Sequence, residues 1–279
     1  MGSDAHNRLC RVSLALRCCL VGIATLGCGP GADTPPGRTP LLVLGASSLA
    51  TALRELESAY EESHPLVDVQ VSTAGSQTLR LQISRGLRAD VFASADPAHL
   101  DALHRSGWTD VAQPFAKNTL VIAVRDDSPL RDATQVDRVP RLAIGAAGVP
   151  VGRYTRAVLD RANAEIPGFR TRFMANVVTQ EPNVRLALAK VRLGQADAAV
   201  VYLTDVPRAG AGHPPSPRAT LRAVAIPARW QVEAQYAVAR LRLAPQAVAA
   251  AAWIQWLRSG TAQRVLRRHG FHVQLAEAP

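Results

Sequence analysis

Residues 41–60, LLVLGASSLATALRELESAY, hold in order a strand, a corner and a helix. Leu41-Leu42-Val43-Leu44 is apolar without alternation, the pattern of a strand covered on both faces. Leu49, Ala52, Leu53, Leu56 and Tyr60 then recur at helical spacing, which predicts an amphipathic helix. A buried strand feeding straight into such a helix is the repeating unit of α/β folds. Ser47 and Ser48 sit at the corner, where open α/β sheets bind ligands, outside the carboxyl end of a strand.

The unit returns along the chain. VDVQVSTA (67–74) alternates at Val67, Val69 and Val71 and leads to a helix starting near Ser76. DVFASA (90–95) precedes a helix from Pro97 to about Ser106. LVIAV (120–124), LAIGA (142–146), AAVVYL (198–203), RAVAI (222–226) and QYAVARL (235–241) read as further strands, with helices at 153–164, 183–194, 246–258 and 261–269. The alternation predicts an α/β fold with largely parallel sheets. The strands are too many for one sheet of average size, so two lobes are expected. Residues 41–117 with 227–279 would form lobe I and 118–226 lobe II, the chain crossing near Ala116–Thr119 and returning near Ala225–Arg229. RAGAGHPPSPRAT (208–220) has the composition of a surface loop.

The 279 residues are 48% hydrophobic, which suffices for a large core, and carry a formal charge of +10. Lys117 and Lys190 are the only lysines, so the positive charge is arginine. Those arginines are scattered and no aromatic-basic motif accompanies them, which argues against nucleic acid as a partner. Arg8, Arg11 and Arg17 precede a short apolar run ending Thr25-Leu26-Gly27-Cys28, the layout of a secretory signal peptide over 1–28 with a lipobox-like end. Lipidation at Cys28 is the corresponding expectation, with 29–40 as a Pro/Gly-rich tether. All four cysteines, Cys10, Cys18, Cys19 and Cys28, lie in this leader. The body therefore has no disulfide, zinc-cysteine site or cysteine nucleophile.

Several strand ends carry small polar groups. Ser48 and Ser76 are placed to cap helices, each oxygen accepting from a backbone N–H. The same hydroxyls can turn outward and donate to an anion beside free helix N–H groups. GAAGVPVGRYT (145–155) has neither dinucleotide-loop spacing nor a Walker lysine, and reads as a structural turn. Asn183 is expected to cap the next helix, leaving Val184 as its first residue with an unpaired N–H. Tyr202 ends a buried strand, where it either packs with its hydroxyl at the surface or closes a pocket with one donor. Asp205 is expected to cap a following helix. Neither serine lies in G-x-S-x-G or S-x-x-K. His269 and His272 stand apart from any carboxylate motif, so no metal site is expected.

GASSLATALRELESAYEESHP, STAGSQTLRLQISRGLRADVFASAD, LAIGAAGVPVGRYT and VVYLTDV together resemble the periplasmic molybdate-binding proteins of ABC importers. The similarity runs from about Leu42 to LRRHGFHV near the C-terminus, and Ala89–Asp96 is its most specific block. The resemblance implies a two-lobed α/β fold of the type II periplasmic-binding kind, with the ligand between the lobes. It implies no catalysis and no cofactor, a molybdate or tungstate ligand, and a monomer that serves an ABC permease and its ATPase subunit. Carried over residue by residue, the oxyanion ligands fall on the hydroxyls of Ser48 and Ser76, the N–H groups of Val151 and Val184, and the hydroxyl of Tyr202. Two departures stand out: Val151 where the family often has alanine, which narrows the pocket, and Pro182, whose fixed φ constrains the approach to Val184. Alternatives are the same scaffold tuned to sulfate or a small organic anion and, more distantly, an exported serine hydrolase with Ser48 as nucleophile.

Overall fold

Residues 34–206 and 220–273 are described by a computed structural model. The leader with Cys28, most of the tether, and the loop up to residue 219 lie outside the described residues. The first sheet begins with β1 (Thr39–Ala46), β2 (Val67–Ala74), β3 (Val91–Ser94) and β4 (Gln113–Asn118). After Thr119 the chain builds a second sheet from β5 (Leu120–Arg125), β6 (Leu142–Gly145), β7 (Val177–Glu181), β8 (Ala198–Tyr202) and β9 (Leu221–Ala225). It then returns to the first sheet as β10 (Ala234–Arg240). Spatial orders are β2-β1-β3-β10-β4 and β7-β6-β8-β5-β9.

Helices α1 (Ala50–Ser63), α2 (Ser76–Ser84), α3 (Pro97–Arg105), α7 (Ala247–Trp256) and α8 (Gly260–Arg268) belong to the first lobe. Helices α4 (Pro150–Glu165), α5 (Phe169–Ala175) and α6 (Val184–Arg192) belong to the second. This is the expected two-lobed α/β architecture, with one correction. The sheets are mixed rather than largely parallel: β1 pairs in parallel with β2 and β3, and β6 with β7 and β8, whereas β10 and β5 run antiparallel to both of their neighbours. β5 and β10 are the two strands that arrive from the other lobe. A buried strand of either direction is a plain apolar run, so the sequence pattern carries no sign of its sense.

Position in the sheet explains the patterns. β1 is flanked on both sides, and Leu41, Val43, Leu44 and Ala46 are buried. β2 is an edge strand, and of its alternating valines only Val69 is fully buried. Helix α1 turns Ala52, Leu53, Leu56 and Tyr60 into the core. Few aromatics are available, but the largest buried side chains include Trp230, Trp253, Phe92, Phe169 and Phe173. Each such burial contributes roughly 1.5–3 kcal/mol. Three elements carry no clear sequence signal: α5, which buries only Phe169 and Phe173, and β4 and β7, whose QPFAKN and VVTQE are too polar to read as strands.

Candidate functional site

The parallel strands of each sheet end at a common edge, and a helix or turn starts beside each end. β1 runs into a short 3-10 turn, Ser47–Leu49, and then α1; β2 runs into α2 through Gly75. In the second lobe β6 leads to α4, β7 to α6, and β8 to a 3-10 turn at Leu203–Asp205. The two edges face each other across a small cavity of about 10 Å³, lined by Ser48, Ser76, Val151, Val184 and Tyr202 among others. All five residues named from the sequence thus meet in one place, and each is buried. A larger cavity, about 510 Å³, lies elsewhere on the second lobe, around Arg125, Leu130 and Arg138.

Neither serine is a helix cap, contrary to the capping alternative. Leu49 and Gly75 occupy the cap positions of α1 and α2 and make no side-chain cap bond. Ser48 Oγ instead lies 2.9 Å from Tyr236 Oη, and Ser76 Oγ accepts from the Ala95 N–H at 3.2 Å. This leaves the Ser76 proton free to point into the cavity, and the Ser48 proton too when Tyr236 is the donor. Tyr202 does not reach the surface: its hydroxyl is buried with no hydrogen-bond partner among the described residues, and its ring lies 5.8 Å from that of Tyr236. Burial drives the pKa values of both tyrosines well above the ordinary phenol value, so both hydroxyls keep their protons.

The backbone donors come from two helix starts. Asn183 caps α6 as expected, its Oδ1 accepting from the Leu186 N–H at 3.0 Å, so Val184 is the first helical residue. α4 starts at Pro150, which has no N–H to lose, and Val151 follows with its N–H outside the helical ladder. A Cβ on Gly152 would stand 2.1 Å from Ala146 O, so only glycine lets α4 begin this close to β6. The two departures are accommodated locally. A Cβ on Gly145 would meet Val151 Cγ1 at 2.7 Å, so the extra methyl occupies space that Gly145 leaves. Pro182 does not disturb the start of α6, and its carbonyl accepts from Gln77 Nε2 of the other lobe at 2.6 Å.

Polar clasps surround the cavity and hold the lobes together. Arg185 on α6 donates from Nε to Ser47 O at 2.7 Å and from Nη2 to Thr51 Oγ1 at 2.9 Å. Arg153 on α4 pairs with Asp96, which also caps α3 through the Ala98 N–H. Tyr154 Oη accepts from the Gln235 N–H at 3.2 Å. Sequence reasoning missed Tyr236, Arg153 and Arg185, because arginines on helix faces and a tyrosine in a buried strand carry no local mark of a distant partner. Asp205 does not cap a following helix. It reaches back to accept from the Tyr202 N–H at 3.2 Å, and burial raises its pKa to about 7 against the pull of Arg185 and Arg192. His269, apart from any carboxylate in sequence, lies 2.6 Å from Glu55 through Nε2.

The family described as "Bacterial extracellular solute-binding protein" matches residues 41–272. The molybdate-binding protein ModA of Mycobacterium tuberculosis is 29% identical over 261 residues, covering 90% of this chain and 93% of that protein. Among solved structures, the periplasmic molybdate-binding protein of Azotobacter vinelandii superposes with a TM-score of 0.70 at 20% identity, over 84% of this chain and 99% of the other. The sulfate-binding protein SubI of Mycobacterium tuberculosis superposes with a TM-score of 0.71 at 16% identity, over 85% and 87% of the two chains. At those identities the two structures speak for the fold alone.

Proposed function

The chain belongs to the bacterial extracellular solute-binding proteins, and from that premise we propose that its interlobe cavity captures molybdate or tungstate. The observation that carries this reading is the Tyr202 hydroxyl, buried without a partner in a pocket where serine hydroxyls and helix N-termini converge. A lone buried hydroxyl costs free energy that a bound acceptor recovers. Hydrogen bonds to a charged group contribute about 1.5–3 kcal/mol each, and several are needed to offset the ion's lost hydration. A ring of donors suits a fully deprotonated tetrahedral oxyanion, whereas a protonated phosphate also requires an acceptor. The cavity, with room for about one water, leaves no space for an extended organic acid. Kinship to ModA over most of the chain supports molybdate ahead of sulfate. A serine hydrolase would need a histidine base on Ser48, and the hydroxyl paired with Ser48 is that of Tyr236.

In this reading the leader exports the protein, Cys28 anchors it, and the closed monomer delivers its ion to an ABC permease and ATPase. The ion favours closure only by its extra affinity for the closed state, which contacts from both lobes supply. Calorimetric titration of the mature protein with molybdate, tungstate, sulfate and phosphate tests the assignment. Ser48→Ala and Ser76→Ala are each expected to weaken molybdate binding about tenfold or more with the fold intact. Unchanged affinity in both variants would reject the site.

A further inference from the structure

A second cavity, of about 390 Å³, adjoins the first and shares Ser48 with it. Its wall comes from both lobes: Arg54 on α1, Arg185 and Arg192 on α6, and Arg268 and His269 at the end of α8. Glu55 engages Arg268 and His269. Arg54, Arg185 and Arg192 form no ion pair among the described residues, and Asp205 is the one carboxylate in the wall. Burial lowers the Arg185 pKa; Asp205 opposes that shift, and the Arg54 and Arg192 charges add to it. Three arginines without ion pairs are thus gathered here with one half-buried carboxylate in the wall. The inner ring, by contrast, contains only neutral donors.

We propose that this arginine-lined cavity is a capture site for the free inorganic oxyanion, a basic antechamber that concentrates it beside the ring and passes it across Ser48. The proposal rests on the oxyanion reading of the inner site and assigns the outer cavity a separate task. The inner ring sets how long the ion stays, and the outer arginines set how fast it arrives. A cleft lined by one sign of charge raises association rates by roughly 10–10³-fold, and the gain falls as salt rises.

Stopped-flow tryptophan fluorescence with sodium molybdate, paired with equilibrium dialysis of radiolabelled molybdate, provides the test. Arg54→Gln combined with Arg192→Gln removes two exposed cations from the antechamber and leaves the Arg185 clasp in place. Arg105→Gln combined with Arg258→Gln removes the same charge from exposed positions elsewhere. The antechamber pair is expected to lower the association rate constant about tenfold at low salt, with dissociation unchanged and the gap closing near 1 M salt. The control pair is expected to change it less than about twofold. Equal association rates for the two pairs would overturn the antechamber while leaving the inner site standing. Wild-type protein that retains no molybdate in dialysis would overturn the oxyanion reading, and the antechamber with it.

Discussion

Replacing Tyr202 with Phe removes a hydroxyl that is buried without a partner. The ligand-free variant is expected to melt at the wild-type temperature or slightly above, because an unsatisfied buried group is a cost rather than a support. Molybdate affinity is expected to fall about tenfold or more. Differential scanning fluorimetry and calorimetry on the same protein separate the two effects, and a lowered melting point with intact affinity would contradict the donor role. Asp205 gives the pH-dependent case. Its pKa is raised from 3.8 to about 7 in the folded protein, so its stabilising contribution is present below about 4 and lost as pH rises through about 7. Asp205→Asn is therefore expected to raise the melting temperature at pH 8 relative to wild type and to flatten the loss between about pH 4 and 7. A variant less stable than wild type at that alkaline pH would show that the charged form is held better than burial implies.

At the level of elements, the site depends on how closely helices start behind strands. Gly152→Ala places a methyl against Ala146 O and Gly145 O, both backbone atoms that cannot swing away. Overpacking of this kind costs about 1–3 kcal/mol, and in a chain of this size that is a few degrees in Tm, on the order of 2–4 °C per kcal/mol. The shift moves the Val151 N–H as well, so molybdate binding is expected to weaken together with stability. Thermal melts and titration of one preparation check both, and normal affinity in the Gly152→Ala protein would detach α4 from the site. Much of this level is legible in the chain. The cap at Asn183 and the start of α6 at Val184 are local chemistry, written within four residues. The serines are harder: their cap-like positions are local, but their partners, Tyr236 and the Ala95 N–H, lie far along the chain.

Across the molecule, Gly75 of one lobe packs against Pro182 of the other. A Cβ on Gly75 would stand 2.4 Å from Pro182 O, while the Gly75 φ of −62° is one that alanine adopts freely. Gly75→Ala is accordingly expected to fold with an unchanged melting temperature yet bind molybdate more weakly, since only the closed form is obstructed. Small-angle scattering with saturating molybdate is expected to show a larger radius of gyration than wild type; identical radii and affinities would mean that Gly75 does not limit closure. Periodicity, capping and chain order act over a few residues. They were enough to specify the strand–helix alternation, the two-lobed α/β class and the corners holding Ser48, Ser76, Val184 and Tyr202. Long-range packing settled the rest: the reversed sense of β5 and β10, the partners that leave hydroxyl protons free, the Arg185 and Arg153 clasps, and the arginine cavity beside Ser48. Those features depend on which distant segments meet, and hydrogen-bond geometry and charge clustering exist only once they have.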